Sequence, residues 1–160
     1  SKAGKNELAV CAQELKKSVY RDMSGLDFSK YSFPNIHGDT ICLSEFKGKY
    51  VFVDLWSTGC NPCVAEINYA KRLEDRLKDL PLVWVSISLD THVDTWKKFV
   101  KQKDGEQLLC SRAYKHPLMQ QMAVHGIPRF IILDPTGKVW DASSRRPSDP
   151  VLGELLQKEL

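Results

Sequence analysis

Hydrophobic and polar positions repeat along the chain with periods that distinguish helices from strands. Over 7–23 and 62–78, apolar residues recur at spacings of three and four, which predicts two amphipathic helices. The intervening run 50–56 is apolar on both alternating faces, as expected of a central strand covered by helices. A second apolar run, 82–89, follows the second helix within a few residues. The pattern therefore predicts a strand–helix–strand unit in the middle of the chain.

Shorter elements flank this unit, and turn and capping residues mark their ends. Before the unit, strands at 31–33 and 40–43 flank a turn at 37–39. After it come a helix marked by Val93, Trp96 and Val100, which Asp90 and Thr91 can cap, a short helix at 116–123, and a hairpin of 129–133 with 138–140. The last helix begins at Ser148 and is expected to turn four apolar residues inward: Val151, Leu152, Leu155 and Leu156. This order implies an α/β fold in which a mixed sheet carries helices on both faces.

Composition adds that the chain is long enough for one compact domain, since 42% of its 160 residues are hydrophobic. Charged residues of both signs are mixed, and the net charge is +3, so nothing indicates a nucleic-acid partner. No apolar run approaches the ~18 residues that a membrane span needs. Residues 1–6 also lack the apolar core of a secretory signal.

Cysteine usage points to chemistry rather than to a disulfide scaffold. An odd number of cysteines, five, is spread through a chain that can already build a core. Only two of them are close in sequence; the five are Cys11, Cys42, Cys60, Cys63 and Cys110. The close pair is therefore the candidate redox centre, and the other three are expected to be spectators.

The motif Cys60-Asn61-Pro62-Cys63 stands between the apolar strand and the helix that follows it. A thiolate is the nucleophile in disulfide chemistry, and a helix N-terminus stabilises it with free N–H groups and the positive dipole end. Cys60 is the predicted attacking residue, and Cys63, one turn further on, the predicted resolving residue. The alternative is half of a zinc site, but no second Cys or His pair completes it, and no metal is predicted.

Asp54 is a carboxylate inside an otherwise apolar strand, six residues before Cys60. Burying it as an unpaired charge is costly, so it needs a partner or a raised pKa. One interpretation is a base beneath the two thiols that exchanges a proton with Cys63. The other is a strand end that reaches solvent.

Taken together, several segments make the chain resemble the thioredoxin superfamily and, within it, the TlpA/ResA-like thiol-disulfide oxidoreductases. These segments are 33–49, 53–56, 60–63, Glu66, 126–128 and 134–138. The resemblance implies a three-layer thioredoxin-like sandwich with an N-terminal strand extension. It covers about 31–160, and we divide the chain into an N-terminal helical segment, 1–26, and a thioredoxin-like domain, 27–160.

By this resemblance Cys60 is the nucleophile, Cys63 the resolving cysteine and Asp54 the buried acid/base. Pro128 is implied to be a cis-proline that faces the disulfide, and Ile127 to offer its backbone to an extended substrate. The residues expected to contact substrate are Trp56, Asn61, Pro62, Ile127 and Pro128.

Other positions are modulators or depart from the family pattern. Glu66 falls at an acidic position that TlpA-like proteins often have after the motif. Arg129 stands where a small hydroxyl residue is usual, and it either helps to hold the Cys60 thiolate or is a solvated strand start. Gly59 replaces a usual aromatic residue, which implies a more open substrate surface, and Asn68 replaces a helix-bending proline.

The resemblance also implies a working environment. TlpA-like proteins generally act outside the bacterial cytoplasmic membrane, often anchored, which implies the periplasm or cell envelope here. Protein disulfides are then the expected substrates, and a membrane or envelope thiol the expected electron donor. The Cys60–Cys63 pair carries the electrons itself, so no separate cofactor is expected. Residues 1–26 are interpreted as the tail of an upstream or membrane-tethered region.

Two other functions compete with reductase-type exchange. A peroxiredoxin-like thiol peroxidase shares the fold, and Ser57 fits its motif three residues before the cysteine, but Val53 occupies the position of its proline. The second competitor is a non-enzymatic module, either a partner for metal (copper) or haem delivery or an interaction domain that keeps its cysteine pair idle.

Overall fold

The structure is a computed structural model in which residues 2–20 and 23–160 are described. Its helices are α1 (Lys2–Tyr20), α2 (Asn61–Arg76), α3 (Val93–Val100), α4 (Pro117–Gln121) and α5 (Pro150–Glu159). Its strands are β1 (Ser32–Pro34), β2 (Thr40–Cys42), β3 (Tyr50–Trp56), β4 (Leu82–Ser88), β5 (Glu106–Leu109), β6 (Arg129–Leu133) and β7 (Val139–Asp141). None of the helices in this part of the chain is long and apolar enough to cross a membrane.

The main sheet is mixed and has the strand order β5-β4-β3-β6-β7. Strands β3, β4 and β5 are parallel, because α2 and α3 carry the chain back between them. The hairpin β6–β7 adds two antiparallel strands beside β3. Strands β1 and β2 pair separately, as the N-terminal extension. The predicted thioredoxin-like α/β fold is confirmed.

The two faces of β3 pack into different cores. Val51, Val53 and Leu55 point into a large cluster that includes α4 and the β1–β2 segment. On the opposite face, Phe52 packs against α2 and α5, and Trp56 joins a cluster with side chains of α2 and α3. Asp54 lies between these two aromatic residues on the same face, since side chains alternate along a strand. The strand therefore carries its one carboxylate toward α2.

The N-terminal helix differs from its prediction over 7–23. Helix α1 begins at Lys2, and residues 21 and 22 and the side chain of Val19 lie outside the described residues. Leu8 and Leu15 are 73% and 65% exposed, so this apolar stripe is not part of the core. Contact with the domain comes at the end of α1, where the ring of Tyr20 lies 4.4 Å from the Arg129 guanidinium.

Three local predictions need correction. Neither Asp90 nor Thr91 caps α3; its N-cap is His92, which makes no side-chain capping bond. In α5, Val151 and Leu155 are about two-fifths exposed, and only Leu152 and Leu156 of the predicted inward set are buried. Strand β5 was not predicted, because its four residues begin with Glu-Gln and acquire their strand pairing only from β4.

Candidate active site around Cys60 and Cys63

The cysteine pair lies where β3 ends and α2 begins. The chain leaves β3 at Trp56, crosses a short loop, and enters the helix with Cys60 as its N-cap. Cys60 and Cys63 form a disulfide with their Cα atoms 5.2 Å apart. Cys60 is half-buried, whereas Cys63 is only 2% exposed. A substrate can therefore reach the first sulfur and not the second.

The helix start provides donors for the first sulfur. The backbone N–H of Cys63 donates to Cys60 Sγ over 3.3 Å, and Pro62 occupies the first turn, where an N–H has no partner within the helix. Once the disulfide is reduced, the same N–H and the helix dipole favour a thiolate at Cys60. Asn61 and Pro62 are exposed beside it, as expected of residues that contact substrate.

The loop before β6 brings a second segment to the disulfide. The Ile127–Pro128 peptide bond is cis, as the resemblance implies. The carbonyl oxygen of Ile127 lies 3.8 Å from Cys60 Sγ, and both residues of the bond are half-buried. This edge places backbone groups next to the sulfur that a substrate would approach.

Asp54 faces a cavity of about 180 Å³ between the sheet and α2, which Ile67 and Lys103 also line. Burial raises the pKa of Asp54 to about 7; the ammonium of Lys103 opposes this rise and the carboxylate of Glu66 adds to it. No residue in the described part of the chain donates a hydrogen bond to Asp54, so hydrogen bonding does not hold its carboxylate in the ionised form. Asp54 is half-buried and lies two residues before the end of β3, and with a pKa of about 7 it can exchange a proton near neutral pH.

Lys103 is a residue of this site that the sequence analysis missed. Its ammonium nitrogen lies 4.0 Å from the centroid of the Trp56 ring. Burial lowers the pKa of Lys103, and the nearby Asp54 carboxylate counteracts that decrease. No local pattern identifies Lys103, because it follows α3 and reaches Asp54 only through the fold.

Glu66 is buried one turn beyond Cys63 on α2. Its carboxylate accepts hydrogen bonds from the backbone N–H of Ser148 at 2.9 Å and from the hydroxyl of Ser148 at 2.6 Å. Through these bonds it joins the active-site helix to the segment that enters α5. Its charge also contributes to the field at Asp54.

Asp90 is a second missed residue, and it holds the loop that leads to Cys60. It accepts hydrogen bonds from the backbone N–H of Thr58 at 3.0 Å and from the hydroxyl of Thr58 at 2.8 Å. The hydroxyl of Ser88 donates a third, at 2.5 Å. The residue expected to cap α3 instead ties β4 to the active-site loop.

Two predicted site residues have other positions than expected. Trp56 has no exposed surface, so the prediction that its side chain contacts a substrate is wrong. Arg129 is 7% exposed, which rules out a solvated strand start. Its guanidinium donates to the carbonyl oxygens of Ala142 at 2.7 Å and Met122 at 3.1 Å, so it connects segments of the domain instead of holding the thiolate.

Comparison with known proteins gives a consistent result. A protein family described as thioredoxin-like matches residues 48–139. The thiol-disulfide oxidoreductase ResA of Bacillus thuringiensis subsp. konkukian is 27% identical over 134 residues, which are 84% of this chain and 77% of that protein. ResA of Bacillus subtilis is 25% identical over 115 residues, 72% of this chain and 64% of its own.

Solved structures agree. A protein from Bacteroides vulgatus, assigned as a thiol-disulfide oxidoreductase and solved in solution, superposes with a TM-score of 0.75 at 36% identity, over 83% of this chain and 88% of that one. The thioredoxin domain of another thiol-disulfide oxidoreductase from the same organism superposes with a TM-score of 0.73 at 26% identity, over 84% of this chain and 96% of its own.

Proposed function

Because the chain belongs to the thioredoxin-like family, as a thiol-disulfide oxidoreductase of the ResA/TlpA-like kind, we propose that it reduces disulfides of protein substrates through Cys60 and Cys63. The observation that carries the proposal is the contrast between the two sulfurs: Cys60 is accessible at a helix N-terminus, and Cys63 is buried behind it.

The first step begins with the reduced protein and Cys60 as a thiolate. Cys60 Sγ attacks one sulfur of the substrate disulfide, a new S–S bond joins protein and substrate, and the second substrate sulfur leaves as a thiolate that takes up a proton. The N–H of Cys63 stabilises the attacking thiolate. The Ile127 backbone, next to Cys60, is positioned to bind an extended substrate segment.

In the second step Cys63 attacks Cys60 Sγ, the protein–substrate bond breaks, and the second substrate thiolate leaves. The substrate has then gained two electrons, and the protein holds the Cys60–Cys63 disulfide. Cys63 is a thiol in a buried site, so its proton must be removed before it attacks. Asp54, with a pKa of about 7, is the base that we assign to this proton.

A thiol donor of the membrane or envelope then re-reduces the pair by the same two steps in reverse. We place this cycle in the bacterial periplasm or cell envelope, on the support of the TlpA/ResA-like resemblance. The redox chemistry is carried by the two cysteines without a separate cofactor.

The test is to trap the intermediate with single cysteine variants. Cys63→Ser should accumulate a mixed disulfide with a protein substrate, because the resolving thiol is absent, whereas Cys60→Ser should form none. Capture by Cys60→Ser and not by Cys63→Ser would reverse the assignment of the two cysteines. Faster turnover of hydrogen peroxide than of any protein disulfide by the unaltered protein would favour the peroxidase instead.

A further inference from the structure

A basic groove of about 700 Å³ lies between the β1–β2 turn and the segment that joins α3 to β5. Its lining includes the side chains of four lysines and one carboxylate, Glu106; the lysines are Lys97, Lys98, Lys101 and Lys103. Three of the lysines, all except Lys103, are exposed. Counted over its lining, the groove has a formal charge of +3, which equals the net charge of the whole molecule.

The three exposed lysines of this groove have no carboxylate partner in the described part of the chain. Lys71 pairs with Asp104 and Arg145 with Asp149, and among the side chains that the structure describes no other lysine or arginine has a carboxylate within 4.0 Å. Lys97 and Lys101 stand four residues apart, a spacing at which like charges destabilise a helix. A cluster of this kind is relieved by an anionic ligand.

The groove and the redox site share an apolar cluster. Val100 lines the groove and belongs to the cluster that contains Cys63, and Ile36 and Cys60 pack against that cluster. Lys103 lines both the groove and the cavity of Asp54. A ligand in the groove is separated from the disulfide by this cluster, so a substrate must reach both places with different parts of its chain.

The shape of the groove favours an extended polypeptide as its ligand. Strand β5 is an edge strand of the main sheet. Its residue Leu108 already pairs with Asn35 through an isolated bridge, and the preceding residues Glu106 and Gln107 line the groove. Edge strands present backbone groups to which an extended chain can add.

We propose that the groove binds an acidic segment of the substrate protein, one that flanks in sequence the cysteine that Cys60 attacks. This inference rests on the proposed function, since it names the class of substrate that the same site selects. Complementary charge chiefly accelerates association, so the preference should appear in kcat/KM and weaken with salt.

The experiment compares three disulfide peptides that differ only in flanking residues: acidic, neutral or basic. At low salt we expect kcat/KM to be about tenfold or more higher for the acidic peptide than for the basic one. In the triple variant Lys97→Glu, Lys98→Glu, Lys101→Glu this preference should be lost or reversed. Lys103 is left intact because it also contacts the Asp54 site.

A matched control variant changes the net charge by the same amount at another part of the surface. Lys49, Lys78 and Lys158 are exposed and do not line the groove, so their replacement by Glu should preserve the preference. An uncharged small-molecule disulfide should react equally with all three proteins. Equal kcat/KM for the three peptides, or an unchanged preference in the groove variant, would overturn the proposal.

Binding is measured separately with the same peptides carrying serine in place of cysteine. If the acidic peptide binds to the unaltered protein and not to the groove variant, the groove assignment stands. If in that case the disulfide peptides undergo no disulfide exchange, only the proposed function fails. If the acidic peptide binds no better than the basic one, or if a short single-stranded RNA binds more tightly, the groove assignment fails.

Discussion

Two aspartates near the cysteine pair have opposite surroundings. Asp90, two residues beyond the end of β4, accepts three hydrogen bonds from Thr58 and Ser88. Asp54, inside β3, accepts none from the described residues and faces a cavity. A carboxylate whose oxygens are satisfied fixes structure, while a buried carboxylate without donors has a raised pKa. The same side chain thus serves the architecture of the loop in one place and proton exchange in the other.

Of the two aspartates, Asp54 is predicted to have the larger effect on the stability of the protein. Its pKa is raised from 3.8 to about 7, so between these values the folded protein holds a proton that the unfolded chain has lost. Stability therefore falls as pH rises from about 4 to about 7, by an amount on the order of a few kcal/mol.

Asp54→Asn removes this ionisation cost. The difference in the free energy of unfolding between the variant and the unaltered protein should therefore increase in favour of the variant from pH 4 to 7, and remain constant above pH 7. Denaturant unfolding of both oxidised proteins across this range measures it. A constant difference at all pH values would place the pKa of Asp54 near its usual value.

Asp90→Ala should destabilise the protein by about 2 kcal/mol, because three donors lose their charged acceptor. Disulfide exchange should slow by a similar factor at every pH, since the loop before Cys60 loosens while Asp54 is untouched. Unfolding curves and a pH–rate profile are the two measurements. A displaced inflection in that profile would mean that Asp90 also takes part in the proton step.

The smallest effects come from the charges that face Asp54. Lys103→Met should move the inflection of the pH–rate profile upward, because the ammonium lowers the pKa of Asp54. Glu66→Gln should move it downward by less, since the Glu66 contribution is the smaller one. Lys103→Arg keeps the charge and serves as the control. Shifts of the same sign in Met and Gln variants would contradict an electrostatic origin.

The sequence predicted those parts of the site that depend on local pattern. Strand β3 and helix α2 follow from apolar periodicity, and the motif at their junction identifies Cys60 and Cys63. The unpaired carboxylate of Asp54 stood out because a charge interrupts an apolar strand. These features need only neighbours along the chain to be recognised.

Features that depend on tertiary contacts were not predictable in this way. Lys103 and Asp90 look like ordinary charged loop residues, and only the packing of α3 and β4 brings them to Trp56 and Thr58. Arg129 was misplaced for the same reason, because its carbonyl partners belong to distant segments.

The most direct test of the account is the pH dependence of the resolving step, in which Cys63 attacks the mixed disulfide. Single-turnover rates should be measured from pH 5 to 9 for the unaltered protein and for Asp54→Asn. We predict that the unaltered protein shows an inflection near the Asp54 pKa of about 7, and that the variant lacks it and is slower by about 100-fold at neutral pH. Superimposable profiles for the two proteins would contradict the role of Asp54 as the base.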